Sequence, residues 1–176
     1  MGYIELTDAN KTGLVFDKTL KFIDTSKDII VSFDYSCYGQ GDAGSEGFAL
    51  TFIDSDGGLV NLNDGGPGPG LGTCALFAIT SYPVPFPPYN IPIGLNFQGL
   101  TNASLIIGFD LAGTFGGPNM GSIDGYTDDL PNSITLRGGY NQNFGIIDRI
   151  NLSKQNISLY TTSSLRPLFN RFRVRI

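Results

Sequence analysis

The sequence predicts an all-β protein, a two-sheet antiparallel β-sandwich of the jelly-roll type. Three observations carry that expectation. Apolar residues recur with a period of two in several separate runs, the spacing of strands that bury one face. Glycine and proline clusters separate the runs, as turns separate short strands. Charged residues make up only 15% of the 176 positions while glycine occurs 24 times, a composition suited to many turns and not to amphipathic helices.

In chain order, the first clear strand lies within Asp28 to Tyr38. Ile29, Val31, Phe33, Tyr35 and Cys37 share one face, and Ser32, Asp34 and Ser36 share the other. Gly47 to Ile53 follows, with Phe48, Leu50 and Phe52 aligned. Leu105, Ile107, Phe109 and Leu111 mark a third strand, and Ile134 with Leu136 a fourth. The segment F-N-R-F-R-V-R-I sets Phe172, Val174 and Ile176 against Arg171, Arg173 and Arg175. Two facing sheets would bury Ile29, Val31, Phe33, Phe48, Leu50, Phe52, Ile107 and Phe109 between them. Turn clusters fall at Gly39 to Gly44, Asp54 to Gly58, Asn63 to Gly72 and Gly116 to Pro131. Ser81 to Pro92 is too rich in proline for a sheet interior and is expected to run extended over the surface.

Composition also excludes several function classes. The length suits one domain with a sizeable core. A net charge of −5 argues against nucleic acid, whose phosphates need a basic surface. The chain contains no histidine, so neither a Ser–His–Asp triad nor a His-bound zinc site is available. Cys37 and Cys74 fit either one disulfide or two buried small apolar residues. No apolar run approaches the roughly 20 residues of a membrane span, so no membrane insertion is expected. The start, M-G-Y-I-E-L-T-D, lacks the basic and apolar regions of a signal peptide. The N-x-S/T triplets at Asn10, Asn102, Asn151 and Asn156 read as chance matches in a chain rich in these residues.

The chemistry concentrates between Gly44 and Phe77. There G-S-E-G-F-A-L-T-F-I places Glu46 at the mouth of an apolar strand, and G-G-P-G-P-G-L-G-T-C-A-L-F follows about twenty residues later. A carboxylate beside accessible backbone amides can hold sugar hydroxyls, because it accepts hydrogen bonds strongly and glycine permits close approach. A second segment, S-L-I-I-G-F-D-L-A-G-T-F-G, runs from Ser104 to Gly116, and L-P-N-S-I-T-L-R-G-G runs from Leu130 to Gly139.

The order of these motifs resembles the L-type, legume-like lectin domain in its bacterial and phage-borne form, over most of the chain. The resemblance implies a carbohydrate site built from Glu46, the backbone at Gly70 and Gly72, Asp110, and the loop carrying Thr114 and Phe115. It also implies a single domain over residues 1–176, short of that family's last strands. Several positions depart from the family pattern. Glu46 stands where the family usually has Asp, Gly108 where metal-binding members have Glu, and Thr114 near their calcium-coordinating Asn. No cofactor is therefore expected. Calcium takes six to eight oxygens, and Asp110, Asp124, Asp128 and Asp129 are only loosely placed for it. The E-x-D-x-x-E strand pattern of glucanases sharing this sandwich is missing, which argues against an enzyme.

Plainer readings stand beside each of these. Glu46 also fits a solvated turn acid, and Asp110 fits a side chain pinning local backbone amides. Phe115, Tyr126 and Tyr140 fit sugar-stacking platforms or ordinary core residues. Arg171, Arg173 and Arg175 fit a solvated strand face or an assembly contact with an acidic neighbour. Their strand is expected to pair outside residues 1–176 or with another copy, because no partner strand follows it. The reading is a non-catalytic module recognising glycan on a cell surface, alongside other subunits or further copies of itself, at an extracellular surface or on a virion. The alternative is a structural or decoration protein with the same fold and no sugar.

Overall fold

A computed structural model of the chain describes residues 26, 28–38, 46–54, 71, 99–117, 128–162 and 170–176. Among these residues the protein is all-β, arranged as two antiparallel sheets. The strands are β1 (Ile30–Tyr35), β2 (Gly47–Ile53), β3 (Ala103–Asp110), β4 (Ser133–Gly138), β5 (Ile146–Asn151) and β6 (Asn170–Arg175). Helix is confined to single 3-10 turns at Thr114–Gly116, Tyr140–Gln142 and Ser153–Gln155. One sheet pairs β1 with β6, and the other runs β2-β3-β4-β5.

The alternation read from sequence places the main core. Phe48, Leu50 and Phe52 of β2 meet Ile107 and Phe109 of β3 and Ile134 of β4, and Phe33, Tyr35, Phe172 and Val174 of the two-stranded sheet pack against them. Phe109 is fully buried at the centre. Its ring stacks on Phe48 at 4.5 Å between centroids and meets Phe172 edge-on at 5.0 Å and Phe33 edge-on at 5.6 Å. Offset-stacked and edge-to-face pairs of this kind add attraction beyond the area they bury. Of the eight residues expected between the sheets, Ile107 and Phe109 are enclosed, while Ile29, Val31, Phe33, Phe48, Leu50 and Phe52 are half-buried.

The other face of β3 is covered as well. Ile106 packs with Leu100, Ala103, Phe115 and Phe144, and Ala49 and Leu71 close on the same cluster. Leu71 brings a point of the glycine-rich segment to this side. The rest of that segment, including Gly70 and Gly72, lies outside the described residues. So do Cys74, Ser81 to Pro92 and Gly39 to Gly44.

Two expectations change. β5 is a strand that alternation misses, because Ile146-Ile147-Asp148-Arg149-Ile150 has no clean period of two. The pairing explains why. Leu136 faces Asp148 while the next residue, Arg137, faces Ile146, so Ile147 is an extra residue in a β-bulge. Secondly, β6 does not need an outside partner. It pairs with β1 throughout, from Tyr35 opposite Asn170 to Ile30 opposite Arg175. Phe172 and Val174 are thereby covered by the chain's own core. The polar face explains the register. Arg171 lies opposite Asp34 and donates to both its oxygens at 2.6 and 2.7 Å, and Arg175 engages Asp28. The hydrogen bond from Arg171, above all, holds the Asp34 carboxyl below its ordinary pKa. Both pairs are exposed, so they align the strands more than they stabilise them.

Truncating Phe109 to Ala should remove the hub of the aromatic cluster and cost about 3–5 kcal/mol. Urea unfolding of the variant, with the slope of the transition unchanged, measures it. A loss below about 1 kcal/mol would mean the two sheets are not held together through this ring.

Candidate functional site

Glu46 precedes β2, and the 3-10 turn at Thr114–Gly116 follows β3. Because the two strands are antiparallel and Gly47 faces Asp110, both lie at one end of the four-stranded sheet. The Leu111 N–H donates to the Glu46 carbonyl at 2.9 Å, which fixes the backbone of the acid. The Thr114 hydroxyl then donates to Glu46 Oε2 at 2.7 Å. Among the described residues Glu46 Oε1 accepts no hydrogen bond, and the side chain is half-buried. One oxygen is thus held and the other is available to a donor.

Asp110 organises the turn. It is fully buried, with Oδ1 accepting from the Gly113 N–H at 2.7 Å and Oδ2 from the Phe115 N–H at 2.8 Å. Gly113 sits at φ 92°, a left-handed conformation, and a side chain there would run into the Leu130–Pro131 backbone. Burial is the largest influence on the Asp110 carboxyl and raises its pKa. The Gly113 and Phe115 amides pull it down and the nearby Glu46 charge pushes it up, leaving it at about 6.

Phe115 is placed differently from a sugar-stacking platform. Its ring has no exposed surface. It lies over Gly108, where any Cβ would overlap it. Tyr140 is 39% exposed and meets Phe144 edge-on beyond the opposite end of β4, and Tyr126 lies outside the described residues. Asp124 also lies outside them, and Asp128 receives two hydrogen bonds from Arg149. No three Asp, Glu or Cys side chains converge on a point among the described residues. Arg171 and Arg175 are engaged by Asp34 and Asp28 on the opposite sheet, while Arg173 is exposed opposite Ser32. The structure therefore brings together Glu46, Asp110, Thr114 and Phe115, and keeps the three arginines apart from them.

Arg137 and Asn132 are among the buried polar residues that escaped sequence reasoning. Arg137 is fully buried and donates to the carbonyls of Phe115 (2.9 Å), Gly117 (2.6 Å) and Phe144 (2.7 Å). Its guanidinium carbon also lies 5.3 Å from the Phe115 ring centre. Asn132 accepts from the Leu159 N–H at 2.7 Å and donates to the Ile157 carbonyl at 2.7 Å, tying the segment after β5 to the start of β4. Both lie in the L-P-N-S-I-T-L-R-G-G motif. Its only clue to their burial is a polar residue in each case next to a strand's apolar positions.

At the same sheet end, Leu130, Ile150 and five polar or charged residues from Asp128 to Gln155 line an open depression of about 470 Å³. The Leu130 N–H donates to the Gly113 carbonyl at 3.2 Å, so this depression adjoins the turn that carries Thr114. Among the described residues no helix is long and apolar enough to cross a membrane. Comparison with family models, curated proteins and solved structures finds no match for the chain, so function is argued from this site alone.

The Asp110 pKa gives a signed pH dependence. Its folded value of about 6 exceeds the unfolded value of about 3.9. The folded state therefore binds more protons between those values. This contribution to stability is fully present below about pH 4 and is lost as pH rises through about 6, by roughly 2–3 kcal/mol. Urea unfolding of wild type and Asp110→Asn across that range measures it as a difference. Equal pH slopes for the two proteins would show that Asp110 titrates normally.

Proposed function

We propose that the chain is a non-catalytic β-sandwich module, similar to L-type lectins, that recognises glycan hydroxyls at an extracellular or virion surface. The observation that carries this reading is the Glu46–Thr114 contact. A half-buried carboxylate with one oxygen fixed and the other unpaired among the described residues is a prepared acceptor for a hydroxyl donor, and charge-assisted bonds are the stronger kind. The open depression beside Leu130 lies next to the same turn, though Glu46 and Thr114 do not line it. A shallow polar site of this kind binds each sugar weakly and gains through many copies. With Phe115 enclosed, apolar contact to the sugar ring falls to residues other than Phe115.

An assembly role without sugar is the second reading. It is favoured by large apolar side chains left at the surface, Ile147 at 60% exposure and Ile157 at 41% among them. On this reading Arg173 is the arginine of its strand best placed to meet an acidic neighbour.

A glycan array probed with a multivalent display of the chain separates the two. Glu46→Ala should weaken binding by about 1.5–3 kcal/mol, or on the order of 10- to 100-fold. A blank array for the wild type would favour assembly, which light scattering would then show as a stable oligomer. Undiminished binding by Glu46→Ala would put the sugar elsewhere.

A further inference from the structure

The turn that carries Thr114 is gripped from two sides by buried groups of opposite charge. On one side the Asp110 carboxylate takes the N–H groups of Gly113 and Phe115, at 2.7 and 2.8 Å. On the other the Arg137 guanidinium takes the carbonyls of Phe115 and Gly117, at 2.9 and 2.6 Å. Phe115 is thus held at its N–H, at its carbonyl and at its ring face. Thr114, the residue before it, donates its hydroxyl to Glu46 at 2.7 Å.

The geometry points to Arg137 as a positioning residue for the Glu46 acceptor, acting through the Gly113–Gly117 turn; this rests on the glycan reading above. The physical argument is one of geometry. A guanidinium is a rigid planar fork, and here Nε and both Nη atoms each reach a different carbonyl, on Phe115, Phe144 and Gly117. An ammonium on a flexible stem can hold one or two of these but cannot span all three at fixed angles. A buried cation of this kind is costly to desolvate and is tolerated only when its donors are satisfied, so the carbonyls must keep their places. Asp110 completes the grip from the opposite side. The turn is therefore set by groups inside the chain, and the position of Thr114, hence of Glu46 Oε2, is set with it.

Arg137→Lys keeps the charge and loses the fork. In that variant the Gly113 and Phe115 amides should exchange with solvent at least about tenfold faster than in wild type, while β3 and β4 amides keep their protection. Glycan binding on the multivalent display should fall at least about fivefold. In a Thr114→Val background the same change should cost almost nothing further, because the route to Glu46 has been cut. Full additivity of the two substitutions, or unchanged Gly113 and Phe115 exchange in a folded variant, would overturn the assignment. Should Arg137→Lys fail to fold, the wild type decides. Its Arg137 Nε–H should give a resolved, slowly exchanging resonance, and rapid exchange would overturn the assignment. A wild type that binds no glycan, while the exchange signature appears, would defeat the glycan reading and leave the turn's dependence on Arg137 standing.

Discussion

β3 has to be covered on both faces, and most of the described structure follows from that constraint. Its even and odd residues are both buried over Ile106–Asp110, which a strand in a two-layer protein achieves only if a loop folds over its outer side. On one face Ile107 and Phe109 carry the aromatic cluster that joins the two sheets. On the other Ile106, Gly108 and Asp110 accept Phe115, Leu71 and the turn that follows the strand. Gly108 is the point of closest approach. Without its bare Cα the Phe115 ring could not sit against the strand, and the turn carrying Thr114 would stand away from Glu46.

Charges serve different ends in the two sheets. The pairs Arg171–Asp34 and Arg175–Asp28 are solvated, and their effect is to select the register that sets Phe172 opposite Phe33. Arg137 and Asp110 are enclosed, and each is satisfied by several backbone groups. Burying them gains little net stability, since desolvation offsets most of the attraction. What they do instead is fix a backbone conformation. A turn of Gly-Thr-Phe-Gly-Gly has little intrinsic preference for one shape, and charged hydrogen bonds to its amides and carbonyls select one.

The strands were legible where alternation was clean. Phe33, Phe48, Leu50, Ile107 and Phe109 could be placed in one core because each sits in a run with an unbroken period of two. β5 was not legible, because its bulge at Ile147 breaks that period and places Ile150 and Asp148 out of step with Ile147. The pairing of β6 was misread for a different reason. Asp28 and Asp34 lie over 130 positions from Arg175 and Arg171, and cross-strand charge matching shows only once the register is known. At the site, Glu46 and Thr114 were grouped through motif order alone, since the β2–β3 pairing that joins them leaves no mark in either strand, and amide pinning by Asp110 stood among the plainer readings. Phe115 fitted a core residue as well as a platform, and Arg137 was not legible, because burial of an aromatic or a cation depends on which loop covers it, and loop paths leave no periodic trace.

On the proposed reading, these buried supports bear directly on how a shallow site can bind at all. An exposed glutamate in a flexible loop would have to lose rotamer freedom when a hydroxyl arrives, and that entropy opposes binding. Here Oε2 is already held by Thr114 and the Glu46 backbone by Leu111, so most of that ordering precedes the ligand. The same logic places the sensitive positions away from the ligand. A side chain at Gly108 or Gly113 would move the turn without touching a sugar, as would the loss of the guanidinium fork at Arg137. Specificity would then reside partly in residues that contact nothing but this chain's own backbone, which is where preorganisation differs from recognition.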